Sequence, residues 1–240
     1  MTPDRVRIAV LDYGIGNLRS AQKALEHLGA AATLTSEPDV IENADAVVLP
    51  GVGHVGACLD ALRERDLDAV ARRVVAAGRP FLGICVGMQM LFDGSEEAPG
   101  VDGLGIFPGR LQRLSSREVP VPQMQWNRLE VRQLDHPLMH TIAAGEWMYF
   151  VHSFAVVGAA ADAPNVIATC DYGGPVVAAI GHDNVMATQF HPEKSGNAGL
   201  RLMKNFVDIA ERHAADSARR PSERVAREPN AFDDAEEVQP

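Results

Sequence analysis

Short apolar runs alternate along the first third of the chain with segments whose apolar positions recur every three or four residues. Val6 to Leu11 is one such run, closed by Asp12-Tyr13-Gly14-Ile15-Gly16. Leu18, Ala21, Leu25 and Leu28 then follow at helical spacing, with Gly29 as a stop. The rhythm repeats. Ala44 to Leu49 is strand-like before Pro50-Gly51-Val52-Gly53, Leu67 to Ala77 is helical with Val70, Val74 and Val75 to one side, and Phe81 to Ile84 is another strand. Strands alternating with helices predict a mostly parallel central sheet covered by helices on both faces. In such a sheet the loops at the carboxyl ends of the strands gather the chemistry, which puts the three glycine-containing loops on one rim.

From about Gly105 to Gln189 the pattern changes to short, turn-punctuated segments, including Trp147 to Phe154, Val176 to Ile180 and Val185 to Phe190. These predict antiparallel β additions to an α/β fold. Ala198 to Ala215 returns to helical spacing, with Leu202, Phe206 and Ile209 inward. Residues 1–212 therefore form one domain. In 213–240 the only large aliphatic or aromatic residues are Val225, Phe232 and Val238. So little apolar surface does not offset the entropy of ordering, and this tail is expected to be disordered.

Composition narrows the class. With 240 residues and 46% hydrophobic content, a sizeable core is available. A net charge of -10 without a Lys/Arg cluster argues against a nucleic-acid partner. No window reaches the roughly 18 apolar residues that span a bilayer, so the expectation is a soluble, cytoplasmic chain with no membrane partner. Cys58, Cys85 and Cys170 are odd in number and none belongs to a Cys-x-x-Cys pair. That spacing argues against a disulfide framework and against a metal site.

The candidate chemistry sits at the rim. Gly83-Ile84-Cys85-Val86-Gly87 follows a strand and precedes an expected helix over Met88 to Phe92, which is the spacing of a nucleophile elbow with Cys as nucleophile. Flanking glycines let a sharp strand-to-helix turn close without Cβ clashes, and a helix N-terminus favours a thiolate. A thiolate needs a proton partner. His191, in Gln189-Phe190-His191-Pro192-Glu193, follows a strand of the same sheet, and Glu193 two residues on lies to the same side and can fix its tautomer. His152 is the rival base, but it has no acid two positions away and is assigned to the substrate shell. The backbone N–H groups of Val86 and of Val52, in the Gly51-Val52-Gly53 loop, are the candidate oxyanion donors.

Taken together these segments resemble the class I (triad) glutamine amidotransferase family, and within it the glutaminase subunits of imidazole glycerol phosphate synthases. Gly83 to Gln89 is similar to the nucleophile motif and His191-Pro192-Glu193 to the base motif. The subfamily is indicated by Asp12 to Leu18, Pro50 to Gly53, Tyr149 to Ser153, and Lys194-Ser195. The resemblance spans about residues 6 to 212. It implies a flavodoxin-like domain, no cofactor, and hydrolysis of L-glutamine through a Cys85 thioester. It also implies that ammonia passes to a β/α-barrel cyclase subunit, which makes imidazole glycerol phosphate and an aminoimidazole carboxamide ribotide in histidine biosynthesis. By the same likeness Gly51, Gln89, Glu97, His152 and Ser153 would surround the glutamine, and Asn17, Trp126, Asn127, Tyr149 and Lys194 would face the cyclase. The chain departs from the family pattern at Gln123, Gln125, His54 and Val86.

Two other readings remain open at this stage. One is the glutaminase of another ammonia-channelling synthase, such as pyridoxal 5'-phosphate synthase, or a cysteine peptidase on the same fold. The other is a catalytically silent regulatory module, which predicts no covalent adduct at Cys85 with a glutamine-mimicking chloroketone.

Overall fold

The computed structural model describes residues 5–219 apart from Ser116 and Glu118. The chain opens with β1 (Arg7–Leu11), α1 (Leu18–His27), β2 (Ala31–Thr35), α2 (Pro38–Glu42) and β3 (Ala46–Gly51). It continues through α3 (Val55–Arg63), α4 (Leu67–Ala76), β4 (Phe81–Cys85), α5 (Val86–Gln89), β5 (Phe92–Ser95) and β6 (Phe107–Arg113). Next come β7 (Gln123–Arg128), β8 (Glu130–Val131), β9 (Trp147–His152), β10 (Phe154–Ala155), β11 (Val166–Asp171), β12 (Pro175–His182) and β13 (Val185–Thr188), and α6 (Gly196–Arg219) closes the series.

Eight strands form the main sheet in the order β2-β1-β3-β4-β13-β12-β11-β8. The pairings from β2 through β13 are parallel, and those of β12, β11 and β8 are antiparallel additions on one side. The central strands β3 and β4 are buried along their whole length, as expected of apolar runs covered on both faces. Right-handed crossovers from β1 outward to β2, and from β2 back to β3 and on to β4, place α1 on one face and α2, α3 and α4 on the other. Helix α6 packs beside α1, and α4 packs against α2 and α3. The apolar stripes fall where their spacing predicts. Leu18, Ala21 and Leu25 of α1, Val70 and Val74 of α4, and Leu202 and Phe206 of α6 are buried. Two small sheets, β10-β6-β5 and β7-β9, complete the domain.

Two expectations are corrected. The helix expected over Met88 to Phe92 is a single turn, Val86–Gln89. The carbonyls of Met90 and Leu91 accept instead from the amides of Leu104, Ile106 and Phe107, which starts β5. The other concerns the start of the tail. Helix α6 runs to Arg219, past the expected domain end at 212. Extending an existing helix adds one hydrogen bond per residue fixed, and His213-Ala214-Ala215 with Ala218-Arg219 is rich in good helix formers. The rest of the expected tail, 220–240, lies outside the described residues.

Candidate active site

The parallel ladder between β3 and β4 runs to their carboxyl ends, where Gly51 is the register partner of Cys85. The nucleophile candidate and the glycine loop are thus neighbours in one sheet. Cys85 has φ 55° and ψ -112°, a left-handed backbone that costs a non-glycine residue about 1–3 kcal/mol and persists only where the surroundings impose it. The surroundings here are tight. A Cβ on Gly87 would lie 1.8 Å from the Leu49 carbonyl oxygen, and one on Gly83 would lie 3.0 Å from the Gly87 carbonyl. The glycines flanking Cys85 permit the close approach that forces its turn.

The strand β13, inserted between β4 and β12, delivers His191 from the neighbouring rung. His191 is buried, its Nδ1 lies 2.8 Å from Glu193 Oε1, and its backbone N–H donates to the Tyr149 carbonyl at 3.0 Å. The carboxylate fixes the tautomer with the proton on Nδ1, leaving Nε2 free of any other hydrogen bond. The Cys85 side chain lines the same cavity as the His191 ring and acts on its charge. Its other polar neighbours are the Val151 carbonyl at 3.9 Å and the Gln189 amide at 3.8 Å. Burial disfavours the imidazolium, but Cys85 and Glu193 together outweigh it and raise the His191 pKa to about 9. Burial likewise works against the Glu193 carboxylate, and hydrogen bonds from His191 and Asn17 outweigh it, holding the acid below its ordinary range. The Glu193 carboxylate and the Cys85 side chain thus favour the charged imidazole. Because α5 is a single turn, little helix dipole reaches the sulfur, and the imidazole is the main source of positive charge beside it.

These groups open onto a cavity of about 450 Å³. Val52, Cys85, Val86, Gln89, Glu97, His152, Ser153, His191, Asn17 and Lys194, all singled out in the sequence, line it. Gly51 and Glu193 stand behind the wall. Several placements add detail. Gln89 turns its amide to the Phe154 carbonyl at 3.0 Å and to Gln189 at 3.1 Å, so its donors are already engaged. The Glu97 carboxylate accepts the Val55 N–H at 2.8 Å, at the start of α3. His54 ties the same two segments. Its Nδ1 accepts from Gly56 N–H, and its Nε2 lies 3.1 Å from the Glu97 carbonyl. Burial, aided by the nearby His191 charge, lowers the His152 pKa to about 4, which leaves a neutral imidazole too weakly basic to compete for the proton.

The residues expected to face a partner divide into two groups. Trp126 is 46% exposed, and its ring lies 6.1 Å from that of Tyr149, its cross-strand partner in β7–β9. Met124, Trp126 and Trp147 make this small sheet an exposed apolar surface next to the cavity, which Tyr149 joins to His191 with 6.5 Å between ring centres. Asn127 donates to the Asp171 carbonyl at 2.9 Å, and Lys194 is exposed at the cavity rim. Asn17 differs. Its Nδ2 donates to Glu193 Oε1 at 3.1 Å while its Oδ1 accepts from Ser20, so its side chain belongs to the relay.

Gln189, Tyr13, Gly16, Gly53, Val151 and Phe154 lie within or beside the quoted motifs but were given no site role from the sequence. Gln189 carried a readable signal, because it stands two residues before His191 in the same extended segment and shares its side. Gln123, one of the departures from the family pattern, begins β7 fully buried opposite His152, with its amide 3.9 Å from Cys170. Among the described residues there is no cluster of three or more metal-ligating side chains, and no helix is long and apolar enough to cross a membrane.

Solved structures share the fold. One titled as a glutamine amidotransferase is 22% identical, with a TM-score of 0.66 over 85% of this chain and 98% of its own. The PurLQS structure from Thermotoga maritima is 21% identical, with a TM-score of 0.65 over 85% and 99%. The imidazole glycerol phosphate synthase subunit HisH of Gloeobacter violaceus is 47% identical over 89% of this chain and 94% of its own. HisH of Methylococcus capsulatus is 48% identical over 83% and 95%. The family model for class-I glutamine amidotransferases matches residues 9–210. The chain belongs to the class-I glutamine amidotransferase family, with the HisH subunits as its near relatives.

Proposed function

We propose that this chain is the glutaminase subunit of an imidazole glycerol phosphate synthase, hydrolysing L-glutamine to glutamate and ammonia for a β/α-barrel cyclase in histidine biosynthesis. It acts in the cytoplasm, where reducing conditions keep a catalytic thiol free. The observation that carries the reading is the strained Cys85 sharing the wall of one cavity with His191, whose ring is held from behind by Glu193.

The reaction follows from that arrangement. The Cys85 thiolate attacks the side-chain amide carbon of glutamine, and the carbonyl oxygen becomes an oxyanion held by the backbone amides of Val52 and Val86. His191 then gives its proton to the departing nitrogen, which leaves as ammonia, and a glutamyl thioester remains on Cys85. Water attacks the thioester as the now neutral His191 takes its proton. Collapse of the second oxyanion releases glutamate and restores the thiolate–imidazolium pair. Glu193 keeps the ring oriented throughout and stabilises its charged form.

The chain has no glycine-lysine phosphate loop for a second substrate, so the acceptor of ammonia belongs on the partner. The exposed surface of Met124, Trp126 and Trp147 beside the cavity suits that partner. The test is glutamate release by the chain alone and by the chain with the cyclase and its nucleotide ligand. Weak activity alone and strong activity in the complex are expected. Full activity in a Cys85→Ala complex would remove Cys85 from the role of nucleophile.

A further inference from the structure

Beneath the Gly51–Gly53 loop lie two buried donors that the relay does not use. Tyr13 Oη donates to the Pro50 carbonyl at 2.6 Å, and Cys58 Sγ donates to the Val52 carbonyl at 3.3 Å. Neither side chain lines the cavity. Tyr13 comes from the segment after β1 and Cys58 from α3, so two separate elements hold one loop. A Cβ on Gly51 would lie 2.9 Å from Tyr13 Oη and 2.8 Å from the Gly87 amide nitrogen. The loop is therefore wedged between Tyr13 and the turn that carries Cys85. Burial pushes both the Cys58 thiol and the Tyr13 phenol up, so each keeps the proton it donates.

A peptide unit is planar, with its C=O and N–H pointing opposite ways. Holding the Pro50 and Val52 carbonyls fixes two such planes. The peptide between them carries the Val52 N–H and is left only the torsions that join its fixed neighbours. We propose that Cys58, assisted by Tyr13, is a positioning residue of the oxyanion loop, given the glutaminase activity proposed above. Its S–H ties the Val52 carbonyl to α3 on the side away from the cavity and so sets the direction of the loop amides that line it. A thiol suits the place, because it packs as a small apolar group while still offering one weak, directional donor.

The test compares wild type, Cys58→Ala and Cys58→Ser in the assembled complex with the cyclase and its ligand, measuring kcat and KM for glutamine. In parallel, the rate at which iodoacetamide alkylates Cys85 is followed by peptide mass spectrometry. Alkylation is a displacement at carbon that builds no oxyanion, so it reports the thiol and imidazole without the loop. Cys58→Ala should lower kcat about five- to tenfold with KM nearly unchanged, since a misdirected oxyanion donor weakens only the transition state. Cys58→Ser, which keeps a donor, should recover most of that loss, and all three proteins should alkylate at the same rate. The proposal is overturned if Cys58→Ala turns over glutamine like wild type, if serine is no better than alanine, or if alkylation slows in step with kcat. Should alanine prevent folding, Cys58→Val, which also lacks a donor but fills the space, takes its place: kcat should fall as for alanine with the alkylation rate unchanged, and a valine enzyme with wild-type kcat overturns the proposal. Absence of glutamine hydrolysis in the wild-type complex would sink the glutaminase reading itself, which separates that failure from failure of the loop assignment.

Discussion

At the scale of single residues, the site is an electrostatic chain in which Cys85, His191, Glu193 and Asn17 each set the state of the next. The raised His191 pKa, about 9 against an ordinary 6.5, means that the folded ring holds its proton more tightly than the unfolded chain does. Its contribution to stability is therefore fully present below pH 6.5 and lost as pH rises through about 9. Urea midpoints measured across that window should fall more steeply for wild type than for Cys85→Ala, in which one of the two groups raising the pKa is gone. The same proton is needed by the leaving ammonia, so kcat should decline on the alkaline side near pH 9. Glu193→Gln should shift that alkaline limb to lower pH and cut kcat by roughly a hundredfold or more, because the amide stabilises neither the tautomer nor the charge. Asn17→Ala removes one donor from Glu193 Oε1, and a loss of kcat of roughly tenfold is expected for a hydrogen bond to a charged group. An Asn17→Ala enzyme with unchanged kcat and pH profile would place Asn17 outside the relay.

At the scale of elements, the strand-to-helix turn at Cys85 depends on contacts that only glycine can make. Gly87→Ala should cost about 2 kcal/mol or more in a urea melt, since its Cβ would meet the Leu49 carbonyl of the buried β3. Much of this was legible in the chain. The apolar runs of β1, β3 and β4 and the stripes of α1, α4 and α6 carry strong periods because they are buried on two faces or along one side. The short edge strand β2, Ala31–Thr35, has only small side chains apart from the partly exposed Leu34, and left no such mark. Helix α3 went unread because the glycine loop before it dominates the local pattern. The one-turn α5 was misjudged because Met90, Leu91 and Phe92 continue a helical spacing while their backbone bonds go to β6 and its lead-in. At the site, motifs adjacent in sequence to a strand end were readable. Asn17 to Glu193 and Cys58 to Val52 were not, since they depend on which loops the sheet order brings together.

At the scale of the molecule, Tyr149 links the exposed aromatic surface of β7–β9 to the cavity-lining His191, its ring lying 6.1 Å from that of Trp126 and 6.5 Å from that of His191. Trp126→Ala should weaken association with the cyclase by about 2 kcal/mol, the cost of truncating a central aromatic anchor. The free chain's own slow hydrolysis should stay as it was. Calorimetric titration of the two subunits and a glutaminase assay of the chain alone would check both halves of that expectation.

Strand β13 enters the sheet between β4 and β12, which come far earlier and just before it in the chain. Gln189, which reaches the sulfur of Cys85 from the end of that strand, follows it by 104 positions. During synthesis, the edge of β4 therefore waits unpaired while the whole antiparallel half is made, and the cysteine waits with it, lacking its imidazole. Sulfur and imidazole are brought to one cavity only when the domain closes, so an incomplete chain leaving the ribosome carries Cys85 without its partner.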